Sequence, residues 1–168
     1  MSLKNWDNKT WLSSTSYIKS FNKFLIEEAK LNKNSEILDI GCGRGKILGN
    51  LTSKLRLANK PIGIDIEQHK DRDKRIIFNK TDAISYLKKN RKKFDLILLK
   101  QTIHFIPLKD IKKLLLLCIN SLNFGGRIAI FTLATSKNEI PTFLKMKKKL
   151  SKSLKRDQKI LRYVNGLY

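Results

Sequence analysis

The residues best placed to do chemistry form one short run, Asp39-Ile40-Gly41-Cys42-Gly43-Arg44-Gly45, followed at a distance by Asp65 and Asp82. Glycines at alternate positions let a backbone turn sharply and come close to a ligand, and a helix that starts just after them offers N–H groups without intrahelical partners. Asp65 closes the apolar run Pro61 to Ile64, where its carboxylate can accept two hydrogen bonds from a ribose diol. Asp82, within Asn79-Lys80-Thr81-Asp82-Ala83, can accept from an exocyclic amine such as that of adenine. His104 lies four residues beyond Lys100 and Gln101 follows that lysine. A neutral imidazole there can take a proton from a nucleophile, and it can equally be a packed or capping residue. Two phosphate-binding loops are excluded. A dinucleotide fingerprint counted from Gly41 and Gly43 needs glycine where Lys46 stands, and a P-loop needs four residues between its glycines and then Lys-Ser/Thr, whereas Lys46 is followed by Ile47.

The elements that must position these residues follow from the hydrophobic pattern. Tyr17, Ile18, Phe21, Phe24, Leu25 and Ala29 recur at helical spacing between Ser13 and Lys30, after a Ser/Thr cluster able to cap. Glu36 to Ile40 reads as a short buried strand running into the glycines, and Lys46 to Leu57 as a helix leaving them. Strands are predicted at Pro61 to Ile66, Arg75 to Asn79, Phe94 to Leu99 and Arg127 to Leu133, with helices at Asp82 to Lys89 and Lys109 to Leu122, the last stopped by Gly125 and Gly126. This alternation predicts an α/β fold: a doubly wound, mainly parallel sheet with helices on both faces. Between Glu67 and Lys74 the chain is charged and poor in apolar residues, so the covering helix is expected to be stunted or absent there. In such sheets ligands bind beyond the carboxyl ends of the strands, where the strand order reverses, and all the residues named above fall at such ends.

Taken together, ILDIGCGRG, GIDIE, TDA, FDLILLKQTIHFIP and LNFGGRIAIFT, in that order between Glu36 and Leu133, resemble the class I methyltransferases, particularly their small-molecule branch. The resemblance implies S-adenosylmethionine as cofactor. It implies that Asp39 and the backbone of Gly41, Cys42, Gly43 and Gly45 meet the methionyl end, Asp65 the ribose, Ile66 the adenine face and Asp82 with Ala83 the adenine edge. Lys100 and Gln101 come beside the sulfonium, and His104 faces the acceptor as a candidate base. No metal site is implied. The fold of this family ends in two further edge strands, and the residues after Lys155 are too few for a helix and both strands, although Ile160 to Val164 can supply one. The sequence is therefore expected to be a trimmed or reduced version of the fold.

At 168 residues the chain is about one domain long, and it divides into a helical cap at 1–34, a cofactor-binding core at 35–134 and a basic helix and tail at 135–168. The tail helix, Asn138 to Lys155, carries Ile140, Phe143, Leu144 and Leu150 on one side and lysines around the rest. No apolar run is long enough to span a bilayer, and the amino terminus lacks a signal-like segment, which predicts a cytoplasmic protein. Cys42 and Cys118 show no disulfide or metal spacing. The formal charge of +22 favours polyanions, yet eight arginines leave 28 lysines accompanied by many asparagines and isoleucines, the mixture an AT-rich genome encodes. Nucleic-acid proteins favour arginine for its bidentate contacts. The amino-methylating nucleic-acid enzymes place Asn/Asp-Pro-Pro-aromatic where Leu99-Lys100-Gln101-Thr102 stands. The ribose-methylating set fails at Lys100 and Phe131 even though Lys19 can mimic its first lysine, and the nucleophilic cysteine that cytosine C5 enzymes carry in the fourth motif is absent from FDLILLKQTIHFIP. The expected acceptor is a small molecule. RNA or DNA bound through the basic surface and a non-catalytic S-adenosylmethionine-binding protein are the alternatives.

Overall fold

The computed structural model describes residues 14–132. Its elements, in chain order, are α1 (Thr15–Ala29), β1 (Ile37–Ile40), α2 (Lys46–Leu55), β2 (Ile62–Asp65), β3 (Ile77–Lys80), α3 (Ala83–Lys89), β4 (Phe94–Lys100), a single 3-10 turn (Ile103–Phe105), α4 (Leu108–Asn120) and β5 (Leu122–Phe131). The five strands form one sheet in the order β3-β2-β1-β4-β5, and every neighbouring pair is parallel. The chain winds outward from β1 through β2 to β3, then crosses back to β4 and winds the other way to β5. The loops leaving β1 and β4 therefore diverge, and the crevice between them is where an open parallel sheet binds ligands.

Parallel strands are covered on both faces, so alternate residues feed two cores. Leu38, Ile40, Ile97 and Leu99 pack with Leu87 of α3 and Leu114 and Cys118 of α4. Ile37, Leu96 and Leu98 pack on the opposite face with Phe21 and Leu25 of α1 and Leu48 and Leu51 of α2. Asp39 shares that second face, and it is the only charged side chain buried in the two central strands.

Helix ends follow local chemistry. Ser14 caps α1 by accepting from the Tyr17 N–H at 3.3 Å, and α1 and α2 end in left-handed residues, Lys30 and Arg56. Asp82 caps α3 through the Ser85 N–H at 2.9 Å. The 67–74 connection carries no helix, as its composition implied, and Ile77 on the edge strand β3 is left exposed. β5 corrects the sequence reading. It begins at Leu122, not Arg127, because Gly125 adopts φ +76 and lets the strand continue through a register shift opposite Phe94 and Leu96, while Gly126 passes against the Phe94 carbonyl where a Cβ would not fit. The two glycines are a bulge inside the strand rather than a helix stop. The basic tail helix, Ile160 to Val164 and the missing-strand expectation lie outside the described residues. Among those described, no helix is long and apolar enough to cross a membrane.

Candidate functional site

The glycine run turns at the end of β1 with Gly41, Gly43 and Gly45 at φ +77, +52 and +69, a region that residues with a Cβ seldom occupy. At Gly41 there is a second reason: an added Cβ would fall inside the Thr102 side chain. The loop folds onto β2, since the N–H groups of Gly41 and Cys42 both donate to the Ile64 carbonyl at 2.8 and 3.1 Å. Gly45 then starts α2 without a side-chain cap.

Asp65 and Arg72 hold the backbone of the same two residues, Gly43 and Glu67. The Asp65 carboxylate accepts from the Gly43 N–H through Oδ2 at 2.8 Å and from the Glu67 N–H through Oδ1 at 2.9 Å. Arg72 donates from Nε to the Gly43 carbonyl at 3.0 Å and from Nη2 to the Glu67 carbonyl at 2.8 Å. Its guanidinium lies over the Phe78 ring, 3.2 Å from the centroid, and its Nη1 is buried without a partner. Next to it, Arg44 pairs through Nε with Asp71 and accepts the Asp73 N–H at 2.9 Å, so the charged connection is strapped to the glycine loop. A carboxylate has about four lone-pair positions, so Asp65 keeps acceptor capacity beyond its two loop contacts. Arg72 was not singled out from the sequence. It is one of several basic residues in a connection without periodicity, and nothing local marks which of them turns inward.

Asp39 and Lys100 end neighbouring strands. Asp39 is almost fully buried and its Oδ1 has no partner; burial pushes its carboxyl up to about 7, the Asp65 charge adding to the rise and Lys100 opposing it. Burial in turn holds the Lys100 ammonium below its ordinary value, with Asp39 partly restoring it. Gln101 sits at φ +55, an uncommon conformation for a residue with a side chain, and its Oε1 is buried without a partner while its N–H donates to the Phe131 carbonyl at 2.7 Å. Among the described residues, two buried oxygens without a partner thus belong to residues at the ends of adjacent strands, a feature that suits a donor on a bound ligand.

The other residues named from sequence divide in two. Ile66 is 55% exposed, an apolar side chain left uncovered beside Asp65, while Ala83 is buried against the core at the start of α3. Asp82 uses Oδ1 to cap α3, and its carboxyl is held below the ordinary value first by the Ser85 backbone N–H. Cys42 is half-buried; burial first, then the charges of Asp39 and Asp65, push its thiol well up, so it is not a thiolate nucleophile. His104 is exposed on the 3-10 turn, its Nδ1 3.5 Å from the Thr132 hydroxyl and its ring 4.1 Å from that of Phe105. Partial burial lowers its pKa, which keeps it neutral at pH 7. The structure places Asp39, the glycines, Asp65, Ile66, Asp82, Lys100, Gln101 and His104 at the carboxyl ends of the strands or just beyond them, as required of one crevice.

Comparison with known proteins matches residues 31–165 to a family model described as a methyltransferase domain. Among solved structures, the chain is similar to an S-adenosylmethionine-dependent methyltransferase from Archaeoglobus fulgidus at 25% identity and a TM-score of 0.64, covering 83% of this chain and 70% of that one. It is similar in fold to a methyltransferase from Thiobacillus denitrificans, solved with S-adenosylhomocysteine, at 19% identity and 0.59, covering 82% and 63%. The plantazolicin methyltransferase BpumL, with a monoazolic desmethylPZN analog and S-adenosylhomocysteine, gives 26% and 0.57, covering 76% of this chain and 49% of that chain. The chain thus spans less than two thirds of the length of the last two. No curated protein matches it.

Proposed function

The chain belongs to the methyltransferase-domain family, and from that premise we propose that it transfers a methyl group from S-adenosylmethionine to a small-molecule acceptor. The observation that carries the reading is the pair of buried, unpartnered oxygens, Asp39 Oδ1 and Gln101 Oε1, next to a left-handed glycine loop at the point where the strand order reverses. A ligand with a cationic amine and a sulfonium suits them. S-adenosylmethionine supplies the methyl group already activated on sulfur. The protein's part is to bind, orient and exclude water, which is where displacement reactions of this kind gain most of their rate. Asp39 and the backbone of Gly41, Cys42, Gly43 and Gly45 would hold the methionyl end, Asp65 the ribose hydroxyls, Ile66 the adenine face, and Asp82 with Ala83 the adenine edge. Lys100 and Gln101 would flank the reacting end. His104, neutral at pH 7, would take a proton from an acceptor that still carries one. The free thiols Cys42 and Cys118 fit a reducing, cytoplasmic setting.

A second reading, a nucleic-acid acceptor, is favoured by the charge of +22 alone. Against it, lysines occur on every described helix, as with Lys19, Lys54, Lys88 and Lys112, rather than on one face of the crevice. Titration calorimetry tests the main reading. S-adenosylhomocysteine is expected to bind the folded protein, and a folded protein that gives no heat with it while binding NAD or ATP would overturn the assignment.

A further inference from the structure

Lys100 flanks the reacting end but, being a cation itself, is not what attracts a sulfonium there. Its Nζ lies 5.3 Å from the ring centroid of Tyr17 and 5.9 Å from that of Phe21, two α1 rings stacked at 5.6 Å. Phe21 in turn meets Phe131 edge-on at 4.7 Å, so the ammonium stands against an aromatic wall joining α1 to the end of β5. Among the described residues Nζ makes no hydrogen bond and no salt bridge; Asp39 attracts it only from beyond contact distance. Packing does not explain the charge, because a methionine would cover the same rings without desolvating an ammonium. The cofactor does not explain it either. S-adenosylmethionine brings a sulfonium and an ammonium against one carboxylate of its own, and this net positive charge would compete with Lys100 for Asp39 where β1 and β4 end.

We propose that Lys100 receives the acceptor, and that the acceptor is an acidic oxygen compound reacting as its anion, a carboxylate or a phenolate. This rests on the methyltransferase reading above. The anion completes the charge balance, and Lys100 fixes its oxygen beside the aromatic wall. The anionic oxygen gives its electron pair to the new C–O bond, the pair of the broken S–C bond stays on sulfur, and the acceptor's acidic proton has already left before transfer. A protonated amine would instead meet like charge at Lys100, which disfavours its binding in that form.

The test is binding of two anionic probes to the protein saturated with S-adenosylhomocysteine. Benzoate represents the carboxylate source and 4-nitrophenol, whose anion is coloured, the phenolate source. At least one is expected to bind, and Lys100→Met and Lys100→Gln should each weaken it by about tenfold or more, the usual scale for losing a charge-assisted contact. Both variants should keep their melting temperature, and because the sulfur of S-adenosylhomocysteine is uncharged they should lose more affinity for the probe than for that ligand; an equal loss of both would make Lys100 a cofactor contact and overturn the proposal. Whichever probe binds identifies the source. Failure of both probes, equal binding by the variants, or preference for benzylamine over benzoate would overturn the proposal. Failure of S-adenosylhomocysteine to bind the folded parent would remove the methyltransferase reading, and this inference with it.

Discussion

Asp39 combines two properties that seldom coexist, nearly complete burial and an oxygen with no partner, and together they make its charge depend on what is bound. Its folded pKa of about 7 stands above the ordinary 3.8, so between these values the folded apoprotein holds a proton that the unfolded chain has lost. Stability contributed by this group is full below about pH 4 and is lost as pH rises through about 7. A cationic ligand has the opposite preference, because it needs the ionised carboxylate. The affinity for S-adenosylmethionine is therefore expected to be highest above pH 7 and to fall by up to about tenfold per unit as pH drops below it, with Asp39→Asn flattening the profile; calorimetry from pH 5.5 to 8.5 checks both. His104 gives a second prediction. With an acceptor that carries its proton into the site, His104→Ala should cut turnover by about 10²–10⁴-fold and leave cofactor affinity unchanged, whereas a carboxylate acceptor needs no base and should lose little. Asp39 was marked in the sequence by the resemblance of ILDIGCGRG to a methyltransferase motif, not by any local signal of burial. The left-handed turn at Gln101 was not legible, because no local signal forces φ +55 on a glutamine.

At the scale of elements, the glycine loop and the connection after β2 behave as one unit, since Asp65 takes the N–H groups of Gly43 and Glu67 and Arg72 donates to their carbonyls. Groups that hold the backbone of the same residues do not act additively. Arg72→Met alone is expected to weaken S-adenosylhomocysteine binding by about tenfold, and Asp65→Ala by about ten- to a hundredfold, through the lost loop contact and the lost ribose contact together. The double mutant should fall short of the product of the two, and a full product would show that the two grips are independent. The order of strands and helices was readable from periodicity, and the missing helix between Glu67 and Lys74 from its charge. What periodicity could not show was the loop's own fastening. It depends on contacts between residues 22 to 29 positions apart, and the guanidinium of Arg72 rests on Phe78 only after β3 has paired with β2. For the same reason the glycines of β5 read as a stop, although the bulge they form exists only opposite β4.

For the whole molecule the question is what the charge of +22 does. Buried polar groups set the chemistry of the crevice, whereas exposed lysines set a long-range field that any polyanion feels, and that field is screened within about 10 Å at 0.1 M salt. If the lysines reflect composition alone, RNA or DNA should bind weakly, without regard to sequence, and with a steep loss of affinity as salt rises. Methyl transfer to a small anionic acceptor should respond differently. Its recognition is made inside the crevice by Lys100, which bulk salt screens less than the surface, so turnover should change little over a range of salt that abolishes retention on a polyanion column. The basic run that includes Lys147, Lys148, Lys149 and Lys152, outside the described residues, separates the two acceptor classes by mutation. Replacing these four by glutamine removes four charges and should lower retention at low salt while leaving turnover and S-adenosylhomocysteine binding intact. A nucleic-acid enzyme would lose methyl transfer on its polymer with folding and cofactor binding unchanged, since each phosphate contact given up costs affinity at every site of the polymer. That outcome would move the acceptor from the crevice to the surface, and the proposed role of Lys100 would give way with it.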